Sequence, residues 1–443
     1  MAHFSFGGNM KNNKNYILEL ILIFIVTILF NLFINGLTND EVWNYGFAYN
    51  ISNGLIPYKD FNMIITPLFP LIMSIFGRNI VVYHILNGFI CVGIFYYMKK
   101  NNPRSYYVTY AILLFFALPN YSLVCLLLLY IILDLENRKA NDYLIGIILG
   151  VTFLTKQNIG VYLFIASLFC NDFKKVFKRG IGFIIPCVGI FIYLIYNNSL
   201  YEFIDYCFLG ISDFTGNFNY YYYSCLLIFI FSFIYLLYKY IKTRNIKFIY
   251  LLSFQLMAYP LFDAYHVIIP FIPAFGYFLD ELKLSKKIIQ VSFVIFIICI
   301  FSYNFYLYCG KEYSYPNDSR EFRYRKLDNN SIKSLENINY IINELDGRIF
   351  LISGYSYLIK LELGYSIDKY DLLCDGNLGH GGYLSIISEF DDICYNNKCS
   401  FVVDMDEFYK SNVSQYNIGI LEYISSNYNF VNNFDSIYIY TNY

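Results

Sequence analysis

Charge is scarce in this chain. Only 15% of its 443 residues are Asp, Glu, Lys or Arg, against roughly 25% in an ordinary soluble domain. With 57% hydrophobic residues, that shortage excludes a water-soluble globular enzyme. Net charge is missing too: 32 basic residues against 33 acidic ones leave -1, which gives no basis for nucleic-acid binding or polybasic attachment to a membrane surface. The 11 cysteines lack metal-ligand spacing. Most, such as Cys91, Cys125, Cys187 and Cys299, lie in apolar runs and read as small core residues; only Cys394 and Cys399, in CYNNKC, are spaced for a short local disulfide. There is one Trp beside 49 Tyr and 44 Phe, but Ile and Asn are in excess throughout, as an AT-rich genome would produce. The aromatics therefore do not argue for a stacking platform. No repeat of fixed period and no low-complexity linker is present.

What the chain has is long apolar runs. The first, Tyr16 to Ile34, spans 19 residues, enough to cross a hydrocarbon core of roughly 30 Å. Lys11 and Lys14 precede it and no small-residue cleavage site follows, so it reads as an uncleaved anchor. Further runs lie at 80–98, 181–197, 222–241, 247–261, 266–280 and 288–307. Four more, 106–118, 121–133, 143–155 and 159–171, hold 13 residues each and form two short hairpins that break at Pro119-Asn120 and Lys156-Gln157-Asn158. Irregular backbone and a lysine at membrane depth are tolerated only where they line a cavity or are covered by protein. The hairpins therefore predict a cavity. The expected fold class is an α-helical polytopic membrane protein of about 11 transmembrane helices.

Charge is partitioned where it is not abundant. Up to Cys309 there are 21 basic and 14 acidic residues, and after it 11 and 19, so the two parts carry +7 and -8. Assigning loops alternately puts 18 basic residues on the side of the N-terminus and three, Lys59, Arg78 and Lys156, on the other. This bias makes the N-terminus cytoplasmic. Residues 1–309 then form the membrane domain, with an outside loop at 36–79, and 310–443 form an extracytoplasmic C-terminal domain. In that tail Arg348 to Ile352, Ser400 to Asp404 and Ser436 to Tyr440 read as strands, and Ile332 to Leu345 and Ile418 to Ser426 as helices, giving a small α/β domain.

The outside loop carries the most chemistry. Asp40 and Glu41 follow the first span; Val42 to Ile51 suits an interfacial helix, Gly54 and Pro57 break it, and Thr66 to Phe76 suits a second. Such a pair would roof a cavity. The plainer reading makes Asp40 and Glu41 acids that cap the first helix and complement its dipole. Asp60 has an equally plain alternative as the partner of Lys59 or Arg78. His266, near Asp263 in DAYHVIIP, has one as an interfacial hydrogen-bonder. The DGNLGHGG segment reads as a loop, because no GKS or GKT follows it.

In this region the sequence resembles the GT-C superfamily of polytopic glycosyltransferases, in the branch of the protein O-mannosyltransferases (bacterial family 39-like) and the lipid A aminoarabinose transferases. The likeness rests on the acid pair after the first span, on Gly54, Pro57, Tyr58, Asp60 and Phe61, and on Thr66, Pro67, Leu68 and Pro70. It extends to FLTKQNIG and to YHVIIPFIPAFGYFL from Tyr265. It implies a glycosyltransferase that moves a sugar, with inversion, from a polyprenyl-phosphate donor to an envelope glycan, lipid or protein at the outer face of the bilayer. It further implies Asp40 as general base and Glu41 as the group that orients it or the acceptor. Tyr58, Asp60, Arg78, Lys156, Gln157, Asp263 and His266 are the substrate-binding candidates. No obligatory metal is expected, although some branches coordinate a divalent cation through D-x-D, a spacing found here only at Asp404-Met405-Asp406. The alternative is a transporter or flippase of lipid-linked sugars without transfer chemistry, for which the usual inverted repeats are lacking.

Overall fold

The computed structural model describes residues 10–170, 172–210, 223–259, 262–282, 288, 291, 313–314, 321–371, 379, 382–405 and 415–443. Helix α1 (Met10–Leu29) continues into a π-helical turn at Phe30–Ile34, and α2 (Asn39–Ser52) and α3 (Leu68–Met73) lie in the loop behind it. The bundle continues with α4 (Ile80–Asn101), α5 (Tyr106–Leu114), α6 (Tyr121–Asn137), α7 (Asp142–Thr155), α8 (Gln157–Ser167), α9 (Phe173–Tyr196), α10 (Leu200–Ile204), α11 (Tyr223–Thr243), α12 (Ile246–Gln255) and α13 (Ala264–Glu281). Each apolar run expected up to residue 280 thus contains a helix, though that at 106–118 is helical only over Tyr106–Leu114. The run at 288–307 lies outside the described residues apart from two positions. Among the described residues four helices are long and apolar enough to cross a membrane: Asn15–Ile34, Ile80–Asn101, Phe173–Tyr196 and Tyr223–Thr243. The others, including both hairpins, are shorter or more interrupted.

Small residues let the bundle close. Helices α7 and α9 cross so tightly that a Cβ on Gly146 would meet the carbonyl oxygen of Arg179 at 2.2 Å, and one on Gly182 that of Tyr143 at 2.3 Å. This is close approach of the kind that drives association where apolar burial from water is unavailable. Long aliphatic and aromatic side chains fill the remainder, with Phe95, Leu126, Leu129, Tyr130, Phe254 and Ile272 all buried in one core.

The two hairpin apices are held by different parts of the chain. The carbonyl of Ala117, at the break between α5 and α6, accepts from the Asn31 and Asn87 amides at 2.7 and 2.5 Å. The apex between α7 and α8 is held by Thr66, whose hydroxyl donates to Phe153 O at 2.9 Å, and by Gln157, whose amide donates to Ile64 O at 2.8 Å and Cys207 O at 3.1 Å.

The C-terminal part contains the short pair β1 (Tyr313–Ser314) and β2 (Leu327–Asp328), then α14 (Asn329–Asn343), β3 (Arg348–Ile352), α15 (Ser356–Glu362), α16 (Gly382–Cys394), β4 (Cys399–Asp404), α17 (Gln415–Asn427), β5 (Asn429–Phe434) and β6 (Ile437–Thr441). The main sheet has the order β3-β4-β6-β5, with β3 and β4 parallel and the other pairs antiparallel. A parallel pair needs a crossover connection, supplied here by the chain through α15 and α16. Alternate residues face two cores: Phe350, Ile352, Phe401 and Val403 pack with Phe390 and Ile424. Leu351, Val402, Ile437 and Ile439 belong to a core shared with Val42, Tyr45, Phe61 and Phe203. The α/β part is therefore seated on the loop, with no solvent layer between them. Cys394 and Cys399 form a disulfide joining α16 to β4.

Candidate active site

Helix α2 starts at a proper cap, because the hydroxyl of Thr38 accepts from the backbone N–H of Glu41 at 3.3 Å. Capping therefore falls to Thr38, and Asp40 and Glu41 occupy the first turn with their side chains available for other work. The two acids diverge sharply. Glu41 is fully buried; one carboxylate oxygen accepts from Arg325 Nη2 at 2.5 Å and the other lies 2.8 Å from His84 Nε2. Burial alone would raise its carboxyl, but the Arg325 and His84 contacts outweigh that and hold it below the ordinary carboxylate range. Glu41 is thus committed to a buried ion cluster. It is well placed to fix α2, and its own carboxylate has no exposed surface to offer an acceptor.

Asp40 is open to solvent at its surface, yet loss of surrounding water raises its carboxyl above the ordinary value. Asp40 is thus open at its surface and at the same time set among charged protein groups. The charges of His266 and Lys156 oppose the rise and that of Asp263 adds to it, so these four groups share one electrostatic neighbourhood. Asp263 caps α13, accepting from the backbone N–H of His266 at 2.8 Å, and its second oxygen lies 2.7 Å from His266 Nδ1. Burial pushes Asp263 up, but the His266 bonds prevail and keep it low. An ionised Asp263 directs the His266 ring and favours a proton on Nδ1.

Lys156 sits at the hairpin apex, 8% exposed, with its Nζ 4.7 Å from the centre of the Tyr121 ring. Among the described residues no carboxylate lies within 4 Å of it. The remaining candidates serve the loop. Tyr58 is buried at φ +68°, with its hydroxyl donating to Ile65 O at 2.6 Å. Asp60 accepts from Ile56 N at 2.7 Å, with neither Lys59 nor Arg78 as a salt-bridge partner, and Arg78 donates to Ser52 O at 2.6 and 3.2 Å. Gln157 ties the apex to the loop as described above. None of these four is among the groups whose charge acts on Asp40.

Sequence reasoning passed over Tyr121, His84 and Arg325. A position-by-position reading offers no signal for Arg325, which meets Glu41 across 284 residues of chain. As for a metal, the described residues hold no group of three or more His, Cys, Asp or Glu placed to bind one. Asp404 of the D-x-D element is buried between the Ser353 and Ser436 hydroxyls at 3.5 and 3.4 Å, while Asp406 lies outside the described residues.

A helical membrane bundle, a helical loop behind its first span and an α/β part seated on that loop make up a fold that solved structures share. ArnT from Cupriavidus metallidurans in the apo state superposes with a TM-score of 0.54 at 11% identity, over 98% of each chain. The same protein bound to undecaprenyl phosphate gives 0.56 at 11% identity, over 97% of this chain and 98% of that one. The archaeal oligosaccharyltransferase AglB from Archaeoglobus fulgidus gives 0.48 at 11% identity, over 98% and 75%. No protein-family model and no curated protein sequence matches the chain.

Proposed function

We propose that this membrane protein is a glycosyltransferase that moves a sugar from a polyprenyl-phosphate donor to a hydroxyl of a cell-envelope glycan, lipid or protein at the outer face of the bilayer. The observation that carries the reading is the electrostatic coupling of a surface-accessible carboxylate, Asp40, to a buried lysine, Lys156, that among the described residues has no carboxylate within salt-bridge distance. The shared fold with ArnT, whose complex holds undecaprenyl phosphate, supports the donor class.

In this mechanism Asp40 takes the proton of the acceptor hydroxyl, and the resulting oxygen nucleophile forms a bond to the anomeric carbon. The bond from that carbon to the phosphate oxygen breaks on the opposite face, its electron pair staying with the phosphate. The sugar carbon is therefore inverted. Lys156 is the cation that stabilises the charge growing on the phosphate, a stabilisation greater in the transition state than in the ground state. His266, oriented by Asp263, adds a hydrogen-bond donor. Residues 310–443 are proposed as an extracytoplasmic domain, where a disulfide such as Cys394–Cys399 suits an oxidising compartment.

The test is incubation of the purified full chain with a panel of polyprenyl-phosphate sugars and an envelope extract. Label from one donor should appear in an acceptor, with polyprenyl phosphate released. Movement of a labelled lipid-linked sugar across vesicles, without transfer from any donor, would replace the transferase by a flippase.

A further inference from the structure

Carbonyl groups at the C-terminus of a helix have lost their helical N–H partners and must find others. At the end of the first span one side chain supplies them. The guanidinium of Arg325 donates through Nη1 to the carbonyls of Asn31, Leu32 (3.3 Å) and Asn35 (2.9 Å), and through Nη2 to that of Gly36 (3.2 Å) and to Glu41 Oε2 (2.5 Å). The backbone doubles the link, since Leu37 N donates to Lys326 O at 3.0 Å. Arg325, Glu41 and His84 have no side-chain exposure.

Asp40 stands between these fixed points. The chain is held at 31–37 on one side of it and at Glu41 on the other, all by 325–326. Neighbouring helical residues point about 100° apart, so holding Glu41 inward sets the direction in which Asp40 projects. We propose that Arg325 is a positioning residue for the transfer reaction: from the C-terminal part of the chain it fixes the direction in which the Asp40 carboxylate projects. This rests on the reading of Asp40 as the base. A displacement of the order of 1 Å at a reacting group is enough to lower a rate about 100-fold, so a tether of this kind has a kinetic consequence beyond stability.

Arg325→Met alone leaves Glu41 buried without its strongest partner and is expected to lose folded protein. The informative variant is Arg325→Met with Glu41→Gln, which removes both charges while the new amide oxygen can still accept from His84. Two measurements on the purified full chain decide. Hydrogen exchange over residues 35–44 should speed up about 10-fold or more while α6 stays unchanged. Transfer should show kcat about 10- to 100-fold lower with the donor KM unchanged, partly restored by Arg325→Lys with Glu41 intact. With Asp40 already changed to Asn the same pair should lower kcat no further, because the two act on one step. Unchanged exchange at 35–44, full kcat of the folded double variant, or an equal loss in both backgrounds would overturn the proposal. Full activity of Asp40→Asn alone would remove the base assignment, and this inference with it; it is told apart because it involves no change at Arg325.

Discussion

Two buried cations, at Arg179 and Lys156, show how differently the same problem is solved in two parts of the bundle. Arg179 is 2% exposed and saturated. It meets Glu136 at 2.7 Å, Asp142 at 2.9 Å, the Tyr250 hydroxyl at 3.1 Å and the Ser167 carbonyl at 3.4 Å. Lys156 is nearly as buried but has an aromatic face and two acids, Asp40 and Asp263, that act on it from beyond salt-bridge distance. Burying a charge is costly unless it is paired. Arg179 meets that requirement from within the fold and so ties helices together; Lys156 leaves it partly open, which suits a site that an anion enters.

The sharpest way to break this comparison is at Asp40. Asp40→Asn keeps the size and removes the proposed base, so transfer should fall by about two to four orders of magnitude while thermal unfolding stays nearly unchanged. A folded variant of full activity would reduce Asp40 to an acid of the first helical turn.

Arg179→Met should do the reverse. It leaves Glu136 and Asp142 without their shared partner, and removing one member of a buried cluster destabilises by about 3–5 kcal/mol. Thermal unfolding in detergent should record a large drop in midpoint, and an unchanged midpoint would show that water reaches the cluster. Lys156→Met comes next in size. The apolar stem stays, so the unfolding midpoint should hold, while binding of undecaprenyl phosphate weakens about 10- to 100-fold, the worth of a hydrogen bond to a charged group. Loss of stability instead, rescued by Asp40→Asn or Asp263→Asn, would make Lys156 a structural cation like Arg179.

How far these roles were legible follows from their range along the chain. Periodicity placed α2 and the tail strands closely: the expected 348–352 strand is β3, and the expected 400–404 strand begins one residue earlier, at Cys399. β5 went unread because Asn429, Asn432 and Asn433 leave no alternation, and every residue of that strand is exposed. The family resemblance, not the DE pair by itself, singled out Asp40, and nothing local separates it from Glu41. The difference is made by Arg325 and His84, which come from distant segments. Lys156 stood out because a charge inside an apolar hairpin is costly, whereas its neighbour Tyr121 looked like any other aromatic in a tyrosine-rich chain.

The smallest effect belongs to a further cation, the partly buried Lys360, where carboxylates are in excess. Its Nζ lies 2.7 Å from Asp371 and 2.9 Å from Asp368, so two acids share one ammonium. Asp371 is buried, and its second oxygen has no hydrogen-bond partner among the described residues. Burial and the Asp368 charge raise its carboxyl to about 7 despite Lys360. The unfolded chain releases this proton near pH 3.9, so between about 4 and 7 the folded state holds a proton that the unfolded state does not. Its contribution to stability is complete below about pH 4 and is lost as the pH rises through about 7. The unfolding midpoint should therefore decline by a few degrees from pH 5 to pH 8, for a change of order 1 kcal/mol. The Asp371→Asn variant, which cannot titrate, should show a flatter profile. Since Asp371 follows Ile367, whose backbone is held by Asn50 at 2.7 and 3.0 Å, exchange at Ile367 should rise over the same pH range in the parent and not in the variant. An identical pH profile for both proteins would mean that Asp371 is ionised throughout and that Lys360, like Arg179, is a saturated cation.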